Sequence, residues 1–323
     1  MAKHIRKAVF PVAGLSTRLL PASKTLPTEM MPIIDKPAMQ YALEEARAAG
    51  IEEFIFVTGR GGAAVENHLD VTYELGNVQV ERGEAGVFEA IRQRVPAPGR
   101  PSSLPRQDPL DLGHAVWCAR NMIGDEPFAV LLADELIVAE KPCLQQMIEA
   151  FATVQGQMVA AMEVPHSQET RHGVLRPAAI RGRLVEANDL TEDPALAATP
   201  PTIAVVGRYL LQPEIFDSLE RLASGNGKET RLAQAILRST DRHPLHGYLF
   251  AGQRFDCSDK LGFLEANIAL ALARSDVAPA VERMIERYGA VARKRGMSSS
   301  RFAEKAAASG DRPVKVEGRA MRR

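Results

Sequence analysis

The stretch from Lys7 to Pro37, KAVFPVAGLSTRLLPASKTLPTEMMPIIDKP, limits what this chain can fold into more than any other. It opens with a short apolar run, Ala8 to Val12, of strand type. The run ends in the turn Ala13-Gly14-Leu15-Ser16-Thr17-Arg18, which has the parts of an anion cradle. Small residues let the backbone approach a ligand, and their N–H groups can face phosphate oxygens. Arg18 adds a permanent positive charge on a forked donor face. A loop punctuated by Pro21, Pro27 and Pro32 then leads to a helix start at Asp35-Lys36-Pro37. Proline suits a first helical turn because its missing N–H would go unpaired there anyway. Taken alone, a glycine-containing turn of this kind mostly just connects a strand to a helix.

Further along, Pro37 to Ala49 has helical spacing (Met39, Leu43, Ala46), with Gly50 as its stop. Phe54 to Val57 is a short apolar run, and a helix is expected over about Ala63 to Asp70. Strand, helix, strand, helix is the pattern of a parallel sheet with crossover helices. Residues 95–109 contain five prolines and read as a loop with little regular structure. Phe128 to Ala133, FAVLLA, is a continuous apolar run of the kind buried on both faces of a sheet. It ends in Asp134-Glu135. Ligands of open parallel sheets bind just beyond the carboxyl ends of strands. A carboxylate pair there, beside a phosphate cradle, suits a hard divalent cation; the plainer alternative is a turn cap by Asp134. Strands over Met158–Val164 and Ile203–Leu211, and helices over Pro213–Leu222 and from Lys260 to about Ala273, complete the pattern. The expected fold is one large α/β domain, residues 1–274, with a mostly parallel twisted sheet flanked by helices. A C-terminal helical arm and basic tail, residues 275–323 and partly disordered, should follow.

These residues together resemble bacterial sugar nucleotidyltransferases, and within them the glucose-1-phosphate uridylyltransferases. That family reads G-x-G-T-R, L-P-A-[ST]-K, P-K-E-M-L-P-I and D-[KR]-P; this chain matches at Gly14, Thr17, Arg18, Leu20 to Lys24, Pro27, Glu29, Met30, Pro32, Ile33 and Asp35 to Pro37. Gln107 to Ala115 resembles the segment that closes over the nucleotide base. Asp134 matches the metal-binding first aspartate of D-D-L, with Glu135 in place of the second. Arg171 to Leu175 resembles K-Y-G-[VI], and Glu192 the glutamate of V-E-K-P. Gly225 to Ile236 resembles G-x-G-x-E-x-x-L-T-D-A-I, and Arg254 to Lys260 resembles R-Y-D-C-G-x-K. The likeness runs from about Lys7 to Arg274.

The resemblance implies a Rossmann-like nucleotidyltransferase fold and a reaction of UTP with glucose-1-phosphate, giving UDP-glucose and pyrophosphate with Mg2+. It implies that Ala13, Gly14, Leu15, Gln107 and Gly113 hold the nucleotide, and that Arg18 stabilises the leaving pyrophosphate. Asp134 would hold the metal, Lys260 would be a second phosphate ligand, and Gly173 and Glu192 would read the sugar. Four departures matter: Ser16 stands at a family glycine, Thr28 and Asp193 at family lysines, and Gln234 at a family aspartate. At the two lysine positions the charge changes from +2 to −1. One misplaced unit charge at ~5 Å costs on the order of 3 kcal/mol at an effective dielectric near 20. Two outcomes follow: a working uridylyltransferase with rearranged phosphate ligands, or a weakly active or inactive paralogue that binds nucleotide and regulates an active partner.

Bulk properties exclude other classes. Lys+Arg and Asp+Glu both number 40, but residues 289–323 hold ten basic and three acidic residues, leaving 30 against 37 elsewhere. A basic tail of this kind is expected to be solvated, and it lacks the aromatic interleaving of specific nucleic-acid binders. The three cysteines, Cys118, Cys143 and Cys257, have no metal-type spacing and point to reduced thiols in a cytoplasm. The first apolar run is too short for a secretory signal, and no stretch approaches the ~20 apolar residues of a membrane span. Family members commonly form dimers or tetramers, so a homo-oligomer is expected.

Overall fold

A computed structural model describes residues 4–12, 14, 17–59, 62–69, 101–105, 111–154, 156–164, 173–191, 202–223 and 232–294. In chain order the elements are β1 (Lys7–Val12), β2 (Pro32–Ile33), β3 (Lys36–Pro37), α1 (Ala38–Ala48), β4 (Glu53–Thr58), α2 (Gly62–Leu69), β5 (Pro101–Pro105), α3 (Leu112–Cys118) and α4 (Arg120–Ile123). Then come β6 (Phe128–Leu131), β7 (Glu135–Val138), α5 (Cys143–Phe151), β8 (Gln157–Val164), β9 (Val174–Arg181), β10 (Leu184–Thr191), β11 (Thr202–Leu211), α6 (Ile215–Ala223), α7 (Leu232–Arg238), β12 (Leu245–Leu249), β13 (Gln253–Asp256), α8 (Lys260–Leu272) and α9 (Ala278–Lys294).

Nine strands form one sheet in the order β5-β4-β1-β6-β11-β8-β12-β10-β9. The pairings make β5, β4, β1, β6, β8, β12 and β9 run one way, and β11 and β10 the other. The sheet is therefore mixed but mostly parallel, as expected. β9 also pairs back onto β11 through Leu175 and Val174, closing a five-strand circuit. Val9 alternates with Ala8 and Phe10 because successive side chains point to opposite faces. Val9, Val57 and Val130 join the core cluster under α3, α6 and α7. Ala8, Phe10, Phe56, Ala129 and Leu131 join the opposite cluster under α1 and α5. With both faces covered, β6 is buried at all four positions.

One charged pair lies within this core. The guanidinium of Arg208, on β11, is fully buried and donates to Glu45 of α1, with Nη2 to Oε2 at 2.8 Å. It also donates to the carbonyls of Leu132 and Glu135, at 2.9 Å each, while Glu45 accepts from the Leu144 N–H at 3.0 Å. Burial would lower the Arg208 pKa, but the charge and hydrogen bonds of Glu45 outweigh it and hold it above the ordinary value. The pair thus fixes α1, β11, α5 and the turn after β6 to one another.

One expectation needed correction. Residues 95–109 were expected to be irregular, yet β5 lies within them and pairs in parallel with β4 from Phe54↔Pro101 to Thr58↔Pro105. Proline is tolerated there because β5 is an edge strand, where a missing N–H leaves no partner unmatched. After the Asp111 cap the chain forms α3 and α4, which meet at Ala119. The chain divides into two compact units, residues 1–267 and 268–323. The second contains α9, whose Met284, Ile285, Tyr288 and Val291 are exposed. Residues 295–323, the bulk of the basic tail, lie outside the described residues.

Candidate active site

The carboxyl end of β1 delivers the turn that carries Gly14, Thr17 and Arg18, all three exposed. Among the described residues, none places an atom within 4 Å of where a Gly14 Cβ would stand. Ala13, Leu15 and Ser16 lie outside the described residues. Beside this turn, β6 ends at Leu131 and the chain reaches Asp134, which is partly exposed at the head of β7. β7 pairs with β13, putting Asp256 opposite Glu135. The Cys257 N–H donates to the Asp134 carbonyl at 2.9 Å, so the two strand ends are stitched together.

Three carboxylates meet here, and they are not equivalent. Glu135 is 1% exposed and bound by Arg254, whose Nη2 donates to Oε1 at 2.7 Å while Nε donates to Oε2. Burial would lower the Arg254 pKa, but the Glu135 hydrogen bond and charge hold it above the ordinary value. Glu135 is thus engaged as a counterion. Asp256 accepts from the Ser258 hydroxyl at 2.5 Å and from the Ser258 N–H at 3.0 Å, both on Oδ1. Its Oδ2 lies 3.6 Å from Arg254 Nη2. Arg18 closes the arrangement from the cradle side, with Nη1 donating to Ser258 Oγ at 2.9 Å. Burial first, then the charges of Asp134, Asp256 and Glu135, push the Cys257 thiol up to about 12.

Two glycines shape this region. A Cβ on Gly262, in the first turn of α8, would stand 2.0 Å from the Asp256 carbonyl oxygen. The helix can therefore start this close to Asp256 only with glycine there. Its N-terminus is capped by Asp259, which accepts from Leu261 and Gly262 N–H at 2.9 Å each. Lys260 begins the helix and is exposed. Gly173 has φ +95°, and its carbonyl accepts from the Val205 N–H at 3.0 Å. It therefore has a backbone reason to be glycine where β9 meets β11.

Of the remaining expected site residues, Gly113 is buried in α3, whose N-cap Asp111 accepts from His114 N–H at 3.0 Å. Gln107, Glu192 and Asp193 lie outside the described residues. Gln234 is exposed on α7, whose buried residues are Leu232, Ala235 and Ile236. Thr28 is only 3% exposed, and among the described residues its hydroxyl has no hydrogen-bond partner. Sequence reasoning did not single out Asp256 and Ser258. The available signal was an acidic residue closing one strand, Gln253–Asp256, near the acidic pair that closes FAVLLA.

A divalent cation fits this donor set. Asp134 and Asp256 offer carboxylate oxygens at adjoining strand ends, as a hard cation requires. Among the described residues no group of three or more His, Cys, Asp or Glu forms a metal site. Two protein carboxylates with phosphate oxygens completing the shell is the usual way Mg2+ is held beside nucleotides.

Comparison with known proteins gives a consistent result. A family profile described as Nucleotidyl transferase matches residues 7–270. The UTP–glucose-1-phosphate uridylyltransferase of Bacillus subtilis (strain 168) is 38% identical over 295 residues, covering 88% of this chain and 99% of that protein. The enzyme of the same name from Komagataeibacter xylinus is 39% identical over 261 residues, covering 81% and 92%. A UTP-bound UGPase from Acinetobacter baumannii superposes with a TM-score of 0.80 at 35% identity, covering 87% of this chain and 98% of that one. A UDP-glucose pyrophosphorylase complexed with UDP-glucose superposes with a TM-score of 0.73 at 35% identity, covering 84% and 100%. Among the described residues, no helix is long and apolar enough to cross a membrane.

Proposed function

The chain belongs to the nucleotidyl transferase family, alongside the UTP–glucose-1-phosphate uridylyltransferases, and from that premise we propose that it makes UDP-glucose and pyrophosphate from UTP and glucose-1-phosphate. One observation carries the reading. A cradle arginine donates to the serine that holds the Asp256 carboxylate, beside strand ends tied together at Asp134, in a chain related over most of its length to enzymes of that activity.

The reaction is an in-line displacement. A phosphate oxygen of glucose-1-phosphate forms a bond to the α-phosphorus of UTP, and the bond from that phosphorus to the β-phosphate bridging oxygen breaks, releasing pyrophosphate. No protein nucleophile is needed, so the protein contributes position and charge. The Gly14 turn presents backbone to the triphosphate, and Arg18 lies over its leaving end. Asp134 and Asp256 would hold Mg2+, which when bound offsets the negative charge on the phosphates. Glu135 and Arg254 cancel each other beside them, so the Asp256 carboxylate is not driven away by an unpaired neighbour. Gly173 and Glu192 read the sugar, Gln107 and Gly113 the base, and Lys260 supplies a further positive charge. A homo-oligomer is part of this proposal. Along α9, the exposed Met284, Ile285, Tyr288 and Val291 offer an apolar face, interspersed with Glu282, Arg283, Glu286 and Arg287, that a second copy would cover.

The test is pyrophosphate release coupled to a reporter, with UTP, glucose-1-phosphate and Mg2+. Turnover in the ordinary range of about 1–1000 per second supports the proposal, and absence of product at millimolar substrates rejects it. A second reading has its own observation. Thr28 is buried at the position of a family lysine, so that site holds no cation. A weakly active paralogue that binds nucleotide and regulates an active partner would show UTP binding without matching turnover.

A further inference from the structure

Ser258 stands where the family pattern R-Y-D-C-G-x-K has glycine. The turn does not require glycine, because Ser258 is not among the described residues with positive φ. Its side chain instead makes two contacts that a glycine could not. The hydroxyl donates to Asp256 Oδ1 at 2.5 Å and accepts from Arg18 Nη1 at 2.9 Å. A hydroxyl has one donor and two acceptor positions, so both bonds form at once. Ser258 is 7% exposed and is followed at once by the Asp259 cap of α8, which leaves it little freedom.

We propose that Ser258 is a positioning residue that couples the arginine of the phosphate cradle to the second carboxylate of the cation site. Its two bonds to Asp256 Oδ1, from hydroxyl and N–H, fix the carboxylate rotamer. Oδ2 then lies 3.6 Å from Arg254 Nη2. The Ser258 bond to Arg18 holds an otherwise exposed, rotamer-rich side chain in place before any anion arrives. Ordering such a side chain at the moment of binding costs about 0.5–1.5 kcal/mol, or roughly two- to thirteenfold in affinity. In this chain that ordering is already present. The proposal rests on the phosphate-and-cation reading of the site, not on uridine selectivity.

The experiment titrates magnesium pyrophosphate and, separately, magnesium UTP into the full chain by calorimetry. It compares wild type with Ser258→Ala, Ser258→Gly and Ser258→Thr, and adds Arg18→Ala and the Arg18→Ala/Ser258→Ala double variant. Thermal melts confirm that each variant is folded. Pyrophosphate affinity is expected to fall about two- to thirteenfold in Ser258→Ala and Ser258→Gly, and to recover in Ser258→Thr, which keeps the hydroxyl. In the Arg18→Ala background, Ser258→Ala should cost less than it does alone, because the bond to Arg18 is already gone. Unchanged affinity in folded Ser258→Ala, or equal losses in the two backgrounds, would overturn the proposal, and so would failure of the wild type to bind pyrophosphate at all. Pyrophosphate bound with UTP refused would leave Ser258 in this role and reject the uridylyltransferase reading instead.

Discussion

Asp134 sits where a fully buried strand ends, and rigidity of that kind is what a cation ligand needs. Asp134→Asn keeps the size of the side chain but removes the charge. We expect Mg2+-dependent turnover to fall on the order of 10²–10³-fold, with folding intact, as read by initial rates across a Mg2+ titration. Wild-type Mg2+ dependence in that variant would contradict the assignment. The thiols give a second expectation. The Cys257 pKa lies near 12 against an ordinary 9.0, and burial followed by the Glu45 charge raises Cys143 as well, with Arg208 opposing. Thiolate is the reactive form, so alkylation of the native protein at pH 8 should spare both. Mass spectrometry after a timed iodoacetamide pulse checks this. Because the folded-state pKa is raised, the thiol contribution to stability is complete below about pH 9 and is lost as pH climbs through 12. The sequence made Asp134 legible because an apolar run ending in an acid is visible by eye. Ser258 was not, since a serine between cysteine and aspartate has no pattern until its two partners, 240 residues apart in one case, are brought together.

The elements differ in how openly they announce themselves. β1 and β6 are unbroken apolar runs, so period and composition agree. β5 is written in prolines and serines and becomes a strand only because β4 offers it an edge. The β9–β10 hairpin is likewise obscured, since Pro177 and the strand-poor run Glu186-Ala187-Asn188-Asp189 interrupt the strand pattern in VLRPAAIRGRLVEANDLT. The Arg208–Glu45 pair could not be read in advance, because Glu45 is a lone acid on the face of α1 that also buries Ala38 and Ala42, and nothing local marks Arg208 as its partner. Its removal provides the test at this scale. Glu45→Ala strands a buried guanidinium, a loss that typically costs about 3–5 kcal/mol. Guanidinium chloride unfolding should show the midpoint falling without a change of slope. Replacing both partners by apolar residues of similar volume should recover much of the loss, and a failure to recover would show that the carbonyl bonds of Arg208 matter more than its charge partner.

At the scale of the whole molecule, the two compact units make separable expectations. The sequence beyond Tyr288 lies past the catalytic likeness, and a chain truncated after about Tyr288 should fold and bind UTP with wild-type affinity by calorimetry. Loss of binding in a folded truncation would place part of the tail at the site. Ile285→Glu, on the exposed apolar face of α9, should lower the mass measured by light scattering to that of a smaller species. An unchanged mass would remove α9 from the assembly. The fold class was legible as a whole because strand and helix signals alternate so regularly, whereas the closure of β9 onto β11 is a long-range event that no local pattern encodes.

That closure bears on how the protein behaves in a crowded solution. An open strand edge is a template on which a neighbouring chain can add itself, the first step towards aggregates. Among the described strands of the large sheet, open backbone remains only along β5 and along the part of β9 beyond Leu175. β5 is five residues bracketed by Pro101 and Pro105. The exposed stretch of β9 reads Arg-Pro-Ala-Ala-Ile-Arg, with Pro177 inside it and an arginine at each end. Both edges therefore combine missing donors with short length or charge, and a foreign strand finds no continuous ladder to extend on either side.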